Sequence, residues 1–240
     1  MSDAVAVIVG ATGAIGKQWV AQLAEAGRHH AIVALGRGYD VQQSDHIHYH
    51  PFDYLQEDSL AQAAHYSSGL GHITEVIVAT GILQNSSVSP EKSWRALDAS
   101  KMAEYFHINC IGPALVAKYF LPLLARDRRA VFAALSARVG SISDNHLGGW
   151  YGYRASKAAL NQVLRSCALE LARTHKEAIC VSLHPGTVDS PLSRPFQRHV
   201  AAQKLFTAEQ SVSYLRAVLE NLTPADSGGF FAWDGKSIPY

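Results

Sequence analysis

The stretch that decides the fold is "VIVGATGAIG", residues 7–16, in which glycines follow a short apolar run directly. The run has the length of a buried strand, and a helical pattern over about 15–27 follows it. Gly10, Gly13 and Gly16 allow a tight turn and let backbone N–H groups approach a ligand closely. The N-terminus of the helix adds partial positive charge at that point. We therefore expect a strand, a glycine turn and a helix that bind the pyrophosphate of a dinucleotide.

The rest of the chain repeats this alternation of a short apolar run with a longer helical pattern. Further strands are predicted over 31–36, 46–53, 74–80, 130–136, 178–186 and 228–235. Helical patterns lie between them near 56–66, in two segments across 91–124, from about 151 onward and over 207–221. Runs rich in Val, Ile, Ala and Leu, each followed by a helix, indicate a parallel sheet covered on both faces. We expect an α/β fold, a doubly wound, parallel, seven-stranded Rossmann fold, as a single domain over 1–240.

The composition excludes several classes of protein. With 240 residues, 48% of them hydrophobic, the chain can bury one sizeable core. The formal charge is +1 without a basic cluster, so no nucleic-acid partner is expected. Cys110, Cys167 and Cys180 lack metal-ligand spacing and indicate a reducing compartment. No signal-peptide pattern and no membrane-spanning apolar run is found, so we expect a soluble cytoplasmic protein without a membrane partner.

One irregular stretch and one group of histidines lie in or next to predicted strands. The stretch 187–206, "TVDSPLSRPFQRHVAAQKLF", is the least regular and follows a strand's carboxyl end, which makes it a candidate substrate loop. His46, His48 and His50 alternate along a predicted strand and could share one face. Nothing near them supplies further ligands at suitable spacing, so no metal site is expected.

The second strand ends with Arg37 where a dinucleotide fold usually has an acid for the ribose 2′-hydroxyl. A guanidinium there suits a 2′-phosphate, which favours NADP(H) over NAD(H). The alternatives are an exposed arginine in a loop, and a contact from nearby Asp40 to the ribose.

The stretch "YGYRASKAALN", residues 151–161, reads as helix and carries a tyrosine and a lysine four residues apart. Residues at that spacing lie on one helix face, so Tyr153 and Lys157 are neighbours, whereas Tyr151 lies over Ala155. Tyr153 is therefore the tyrosine with a cation beside it.

At this point the chain resembles the short-chain dehydrogenases/reductases, and most of all their C-factor and sniffer-like carbonyl reductase branch. The resemblance runs nearly end to end. It is carried by "VGATGAIG" (9–16), "FD" (52–53), "ATG" (79–81), "HINCIGP" (107–113), "LSARVGS" (135–141), "YRASK" (153–157) and "HPGTVDSPL" (184–192).

The resemblance implies a catalytic group. Tyr153 would donate a proton to the developing alkoxide, and Lys157 would lower the pKa of that tyrosine and hold the nicotinamide ribose. Asn109 matches the asparagine that orders the helix and a water linking the lysine to solvent; a residue that kinks the helix is the alternative, and both roles are compatible. The family's serine pair reads Ser136-Ala137 here, so the strict match to the catalytic serine is an alanine. Ser136 is slightly favoured over Ser141 for that role.

The resemblance also assigns the cofactor site. Its residues are Gly10, Thr12, Gly13, Ile15, Gly16, Arg37, Asp53, Gly81, Tyr153, Lys157, Pro185, Gly186, Val188 and Ser190. Three departures stand beside this assignment: Ala14 replaces the middle glycine, Val9 replaces a common threonine, and Ala79 replaces an asparagine that braces the sheet.

We therefore expect an NADPH-dependent carbonyl reductase that moves a hydride between nicotinamide and a carbonyl or secondary alcohol. Leu83, Trp150, Tyr151 and parts of 187–206 would give the pocket apolar walls for an uncharged small molecule. A cofactor-binding regulatory protein with little turnover is the alternative, because of Ala137 and the C-factor resemblance. An epimerase or dehydratase fits less well. The family's habit of pairing implies a homodimer or homotetramer.

Overall fold

The computed structural model describes residues 3–37, 44–53, 56–199 and 201–240. Asp40, the alternative ribose contact, lies outside the described residues.

A parallel seven-stranded sheet forms the centre of the fold, with strand order β3-β2-β1-β4-β5-β6-β9. The strands are β1 (Ala4–Val9), β2 (Ala31–Gly36), β3 (Ile47–Pro51), β4 (His72–Val78), β5 (Ala130–Leu135), β6 (Ala178–His184) and β9 (Phe230–Ala232). The order reverses between β1 and β4, which places the switch point of the sheet beside the glycine turn. The prediction of a doubly wound Rossmann fold is confirmed.

Helices cover both faces of this sheet. They are α1 (Ala14–Ala26), α2 (Glu57–Gly69), α3 (Ala99–Phe106), α4 (Gly112–Phe120), α5 (Tyr151–Leu171) and α6 (Ala208–Asn221). Successive residues of each strand face opposite layers, because side chains alternate along a strand. In β5, Phe132 packs with α2, α4 and α5, whereas Val131 packs with α1 and α6. No described helix is long and apolar enough to cross a lipid bilayer.

Two regions differ from the expected pattern. The two helical segments expected across 91–124 are joined, because a π-helical turn, His107–Ile111, connects α3 to α4. The irregular stretch 187–206 contains a second, two-stranded sheet of β7 (Thr187–Val188) and β8 (Leu205–Phe206). Strands this short carry too little periodicity to be found from sequence.

The buried face of α2 provides a test of the core. Leu60 is fully buried in the layer between α2 and the sheet, whereas Leu147 is 92% exposed. We expect Leu60→Ala to lower the free energy of unfolding by about 2–5 kcal/mol, because it removes buried methyl groups and leaves a cavity. The matched Leu147→Ala change should cost about 0.5 kcal/mol or less. Urea denaturation of both variants checks this, and equal losses would contradict the assignment of the core.

Candidate active site

A cleft of about 650 Å³ lies at the carboxyl ends of the first four strands. It is lined by Gly10, Thr12, Gly13, Gly36, Arg37, Phe52, Asp53, Ala79, Thr80, Gly81, Ala103, Glu104, His107 and Ile108. These residues come from the glycine turn, from the ends of β2, β3 and β4, and from the α3 side. The fold therefore joins the predicted glycine turn, Arg37, Asp53 and Gly81 in one concave site.

The glycine turn at one end of this cleft needs its glycines. Gly10 has φ of +86°, and a Cβ atom there would lie 2.8 Å from Thr80 Cγ2. A Cβ at Gly16 would lie 2.1 Å from the Gly10 carbonyl oxygen, so α1 could not pack this closely against the turn. Gly13 is different, because a Cβ there would meet only Gly10 O, at 3.4 Å, among the described atoms. Its open side faces the cleft.

Helix α1 begins at this turn without a side-chain cap. Gly13 is the N-cap, and the first turn contains no acidic residue. The N–H groups of a helix's first turn have no partner within the helix, so this end of α1 can bind an anion. Arg37 is exposed and lines the same cleft.

Of the other predicted cofactor-binding residues near the turn, Thr12 and Asp53 line the cleft, whereas Ile15 does not. Thr12 packs its methyl group against Gly36, where a Cβ would lie 2.8 Å away. Asp53 lines the cleft, and its backbone N–H donates to Ser59 Oγ at 3.1 Å. Ile15 instead packs against the core layer of α1 and α6.

Asn109 lies in the π-helical turn, fully buried, and binds the chain that follows β4. Its Oδ1 accepts from Ile82 N–H at 2.8 Å, and its Nδ2 donates to Ile82 O at 2.9 Å. Nδ2 also donates to Ser156 Oγ, at 3.2 Å, on α5. Two interpretations of Asn109 follow from the sequence, a residue that kinks the helix and a residue that orders it. The hydrogen bonds of Asn109 are compatible with both.

Lys157, on α5, lies directly behind Gly81, which lines the cleft. Its Nζ donates to Leu135 O at 2.8 Å, and a Cβ at Gly81 would lie 3.4 Å from that Nζ. The side chain is 3% exposed, and burial lowers the pKa of Lys157 to about 8, against a smaller opposing effect of the Cys110 thiol. The ammonium can therefore lose its proton close to neutral pH.

Tyr153 lies one turn before Lys157 and is 7% exposed. Its ring packs edge-on against Tyr105 and Trp150, with centroids 6.1 and 6.2 Å apart. Burial raises the pKa of Tyr153, and Tyr105 adds to that rise. This direction is opposite to the one predicted from Lys157, because the loss of water around the phenol is the largest cause of the shift. The phenol stays protonated across the neutral range.

The serine candidates differ in their partners. Ser136 is buried after β5, and its Oγ has no hydrogen-bond partner among the described residues. Ser141 Oγ instead accepts from the Asp144 N–H at 3.1 Å and so holds a local turn. Ala137, the strict match to the family's serine, packs in the same apolar cluster as Tyr153. The unpartnered hydroxyl is the one at Ser136.

The segment after β6 is fixed by backbone contacts. Gly186 has φ of +76° and lies against Phe206, and Pro185 O accepts from Ser211 Oγ at 2.8 Å. Val188 pairs with Phe206 in the two-stranded sheet, and its carbonyl accepts from Ser193 Oγ. Ser190 O accepts from Arg194 N–H at 3.0 Å. This segment leaves the carboxyl edge of the sheet on which the glycine turn also lies.

Aromatic and aliphatic side chains form a wall around Tyr153. Leu83, Val88 and Tyr105 are buried in this cluster, and Trp150 packs edge-on against Phe196 at 5.1 Å. The Tyr105 hydroxyl donates to Leu83 O at 2.7 Å. Tyr105 was missed from the sequence, because its contact with Leu83 joins segments that are distant in the chain.

The histidines of β3 take part in local contacts. Tyr66 OH and His48 Nδ1 lie 3.2 Å apart, and His50 packs its ring against Tyr66. The described residues contain no group of three or more His, Cys, Asp or Glu placed to hold a metal.

The pKa of Lys157 predicts how stability depends on pH. The folded protein gives up this proton near pH 8, whereas the unfolded chain keeps it to about pH 10.5. Because the unfolded state binds more protons in that window, the lysine's contribution to stability rises with pH there and is lost as pH falls through about 8. Relative to Lys157→Met, the wild type should gain about 3 kcal/mol between these limits. Urea denaturation at several pH values measures the difference, and a constant difference would contradict the assignment.

Comparison with known proteins identifies the family of this chain. The profile of the short chain dehydrogenase family matches residues 4–201. The C-signal of Myxococcus xanthus is 35% identical over 162 residues, which cover 66% of this chain and 91% of that protein. The chain spans about three fifths of two other curated relatives that it matches.

Solved structures of carbonyl reductases have the same fold. The NADPH-bound carbonyl reductase from chicken fatty liver superimposes with a TM-score of 0.84 and 26% identity, over 99% of both chains. The carbonyl reductase Sniffer of D. melanogaster has the same fold, with a TM-score of 0.85 and 21% identity over the whole of both chains. The chain therefore belongs to the short-chain dehydrogenase/reductase family of oxidoreductases.

Proposed function

We propose that the chain is an NADP(H)-dependent oxidoreductase that transfers a hydride between the nicotinamide and a carbonyl or secondary alcohol. One observation carries this proposal. Tyr153 and Lys157 are buried on one face of α5, behind the lining of the cleft that contains the glycine turn. Gly81 connects the two groups, because it lines the cleft and lies against Lys157 Nζ.

The cofactor fits the residues of the cleft. The open side of Gly13 and the uncapped start of α1 would hold the pyrophosphate, and Arg37 the 2′-phosphate. Asp53 would meet the adenine, and Lys157 the nicotinamide ribose. We assign the remaining contacts to Gly10, Thr12, Gly16, Gly81, Tyr153, Pro185, Gly186, Val188 and Ser190, and to the backbone of Ile15, whose side chain packs in the core. When bound, the nicotinamide supplies or accepts the hydride.

Tyr153 would hold and move the proton of the reaction. Its raised pKa keeps the phenol protonated, so it can donate to an oxygen that gains negative charge. Lys157, one turn further along α5, would keep a positive charge near that oxygen while it is protonated. The burial of both groups excludes water and strengthens these electrostatic effects.

Two further residues support the chemistry. Asn109 holds Ile82 and thereby the chain beside Lys157, which keeps this side of the cleft in shape. The buried, unpartnered hydroxyl of Ser136 is our candidate for polarising the carbonyl. The apolar wall of Leu83, Val88 and Trp150 favours an uncharged carbonyl compound.

Related proteins support the cofactor assignment. The carbonyl reductase from chicken fatty liver, 26% identical, was solved with NADPH bound. We propose that 1–240 form one domain in which 187–206 is the substrate loop. A cytoplasmic location and a homodimer or homotetramer stay predictions.

A regulatory protein that binds the cofactor but turns over little substrate is the second candidate. Ala137 lies beside Tyr153 where the family's serine would supply a second hydroxyl, and the C-signal is 35% identical. The intact group of Tyr153, Lys157 and Asn109 favours an enzyme, because a protein that only binds cofactor needs no proton donor.

Replacement of the phenol tests the proposed chemistry. Tyr153→Phe should lower kcat on a panel of apolar carbonyls at least ~10²-fold, because the proton donor is lost. The affinity for NADPH, measured by fluorescence titration, should stay nearly unchanged. Tyr66→Phe removes one hydroxyl on the remote helix α2 and serves as the control. Undiminished turnover in Tyr153→Phe would refute the proton-donor role. Tight NADPH binding without turnover in the wild type would favour the regulatory candidate.

Replacement of Arg37 tests the choice of cofactor. We expect the wild type to bind NADPH more tightly than NADH. Arg37→Ala should weaken NADPH binding about tenfold or more and leave NADH binding unchanged, because a guanidinium binds the extra phosphate strongly. Arg28→Ala removes an exposed arginine paired with Glu220 and controls for the loss of general positive charge. A wild type that prefers NADH would overturn this assignment.

A further inference from the structure

Glu91 is a buried acid outside the group of residues described above. It lies in the segment between β4 and α3, and it is only 5% exposed. A carboxyl group is rarely buried unless it is paired or hydrogen-bonded, because water stabilises its charge. The buried carboxyl group therefore needs a hydrogen-bond partner, and the N-terminus of α5 provides one.

Helix α5 lacks a cap of its own. Its N-cap residue is Trp150, whose side chain makes no capping hydrogen bond, and its first turn contains no acidic residue. Trp150 has φ of 53°, in the left-handed region, which costs energy in a residue with a bulky side chain. The first N–H groups of this helix must find acceptors elsewhere.

Glu91 supplies those acceptors through its side chain and its backbone. Its Oε2 accepts from Gly152 N–H at 3.1 Å, and its carbonyl oxygen accepts from Trp150 N–H at 2.6 Å. Together these bonds hold the strained residue and the second residue of α5.

The packing around Gly152 leaves little freedom in this arrangement. A Cβ at Gly152 would lie 2.9 Å from Glu91 Oε1 and 2.7 Å from Tyr105 Cδ2. Oε1 itself is buried and has no hydrogen-bond partner among the described residues. Glu91 and Tyr105 are close enough that Glu91, after burial, is the next cause of the rise in the pKa of Tyr105 to about 12. The acid therefore lies at the helix start and beside the wall that contacts Tyr153.

We propose that Glu91 is a positioning residue that caps α5 from another segment of the chain and so fixes the place of Tyr153. Tyr153 directly follows Gly152, so it lies within the turn that Glu91 holds. The hydrogen bonds described for Glu91 both go to the start of α5, so it acts through the helix. This inference rests on the proposed function, because it assigns to the cap an effect on the chemistry of Tyr153.

The test compares Glu91→Ala with Glu91→Gln. Loss of the acceptor in Glu91→Ala should lower kcat about tenfold while KM and the affinity for NADPH change less than about twofold. Glu91→Gln keeps a carbonyl acceptor for Gly152 N–H and should recover most of kcat. If the alanine variant does not fold, Glu91→Gln still provides a comparison with the wild type.

Hydrogen exchange of the Gly152 and Tyr153 amides provides a readout that needs no turnover. We expect exchange at least about fivefold faster in Glu91→Ala than in the wild type, because a helix without its cap opens more often at its end. Thr207→Ala, which removes the side-chain cap of α6, is the control for a general loss of stability and should leave kcat and these amides unchanged.

The outcomes separate this inference from the proposed function. Unchanged exchange at Gly152 in Glu91→Ala would overturn the cap, whether or not the protein is an enzyme. Faster exchange with unchanged kcat in an active enzyme would overturn the positioning role. Glutamine that behaves like alanine would overturn the hydrogen bond as its basis. If the wild type turns over no carbonyl, the proposed function fails, and the exchange data still decide whether Glu91 caps α5.

Discussion

The paired hydrogen bonds between the Asn109 amide and the Ile82 backbone hold the segments beside the cleft together. They join the π-helical turn to the chain that leaves β4, and a further bond from Asn109 reaches Ser156 on α5. Asn109 lies within this π-helical turn, and its side chain contacts both neighbours. Since both groups are buried, loss of the amide would leave Ile82 N–H and C=O without partners. The Asn109 amide therefore links the helix that carries Tyr153 to the loop beside the cleft.

Burial shifts the pKa values of the two candidate reacting groups in opposite directions. The same exclusion of water favours the neutral phenol at Tyr153 and the neutral amine at Lys157. The hydrogen bond from Lys157 to Leu135 O compensates for part of the cost of burying the ammonium. A site of this kind keeps its donor protonated through the loss of water rather than through a neighbouring charge, which the sequence spacing alone did not reveal.

Much of the fold could be predicted because its signals are local and periodic. The apolar runs of β1, β2, β5 and β6 have strand length, and the glycines of the turn are required by positive φ at Gly10 and by the close approach of Gly16. Tyr153 and Lys157 were paired by helical spacing alone. Glu91 and Tyr105 gave no such signal, because their roles arise from contacts between distant segments. The choice between Ser136 and Ser141 likewise depends on hydrogen-bond partners that only the folded chain supplies.

The small sheet of β7 and β8 has a consequence for how such a protein can change during evolution. Val188 pairs with Phe206, so the segment between them begins and ends at the same pair of hydrogen-bonded strands. Substitutions and insertions in that segment need not disturb β6 before it or α6 after it, since lengthening a surface loop costs little entropy. The proposed substrate loop can therefore vary while the sheet, the glycine turn and the helix bearing Tyr153 keep their positions.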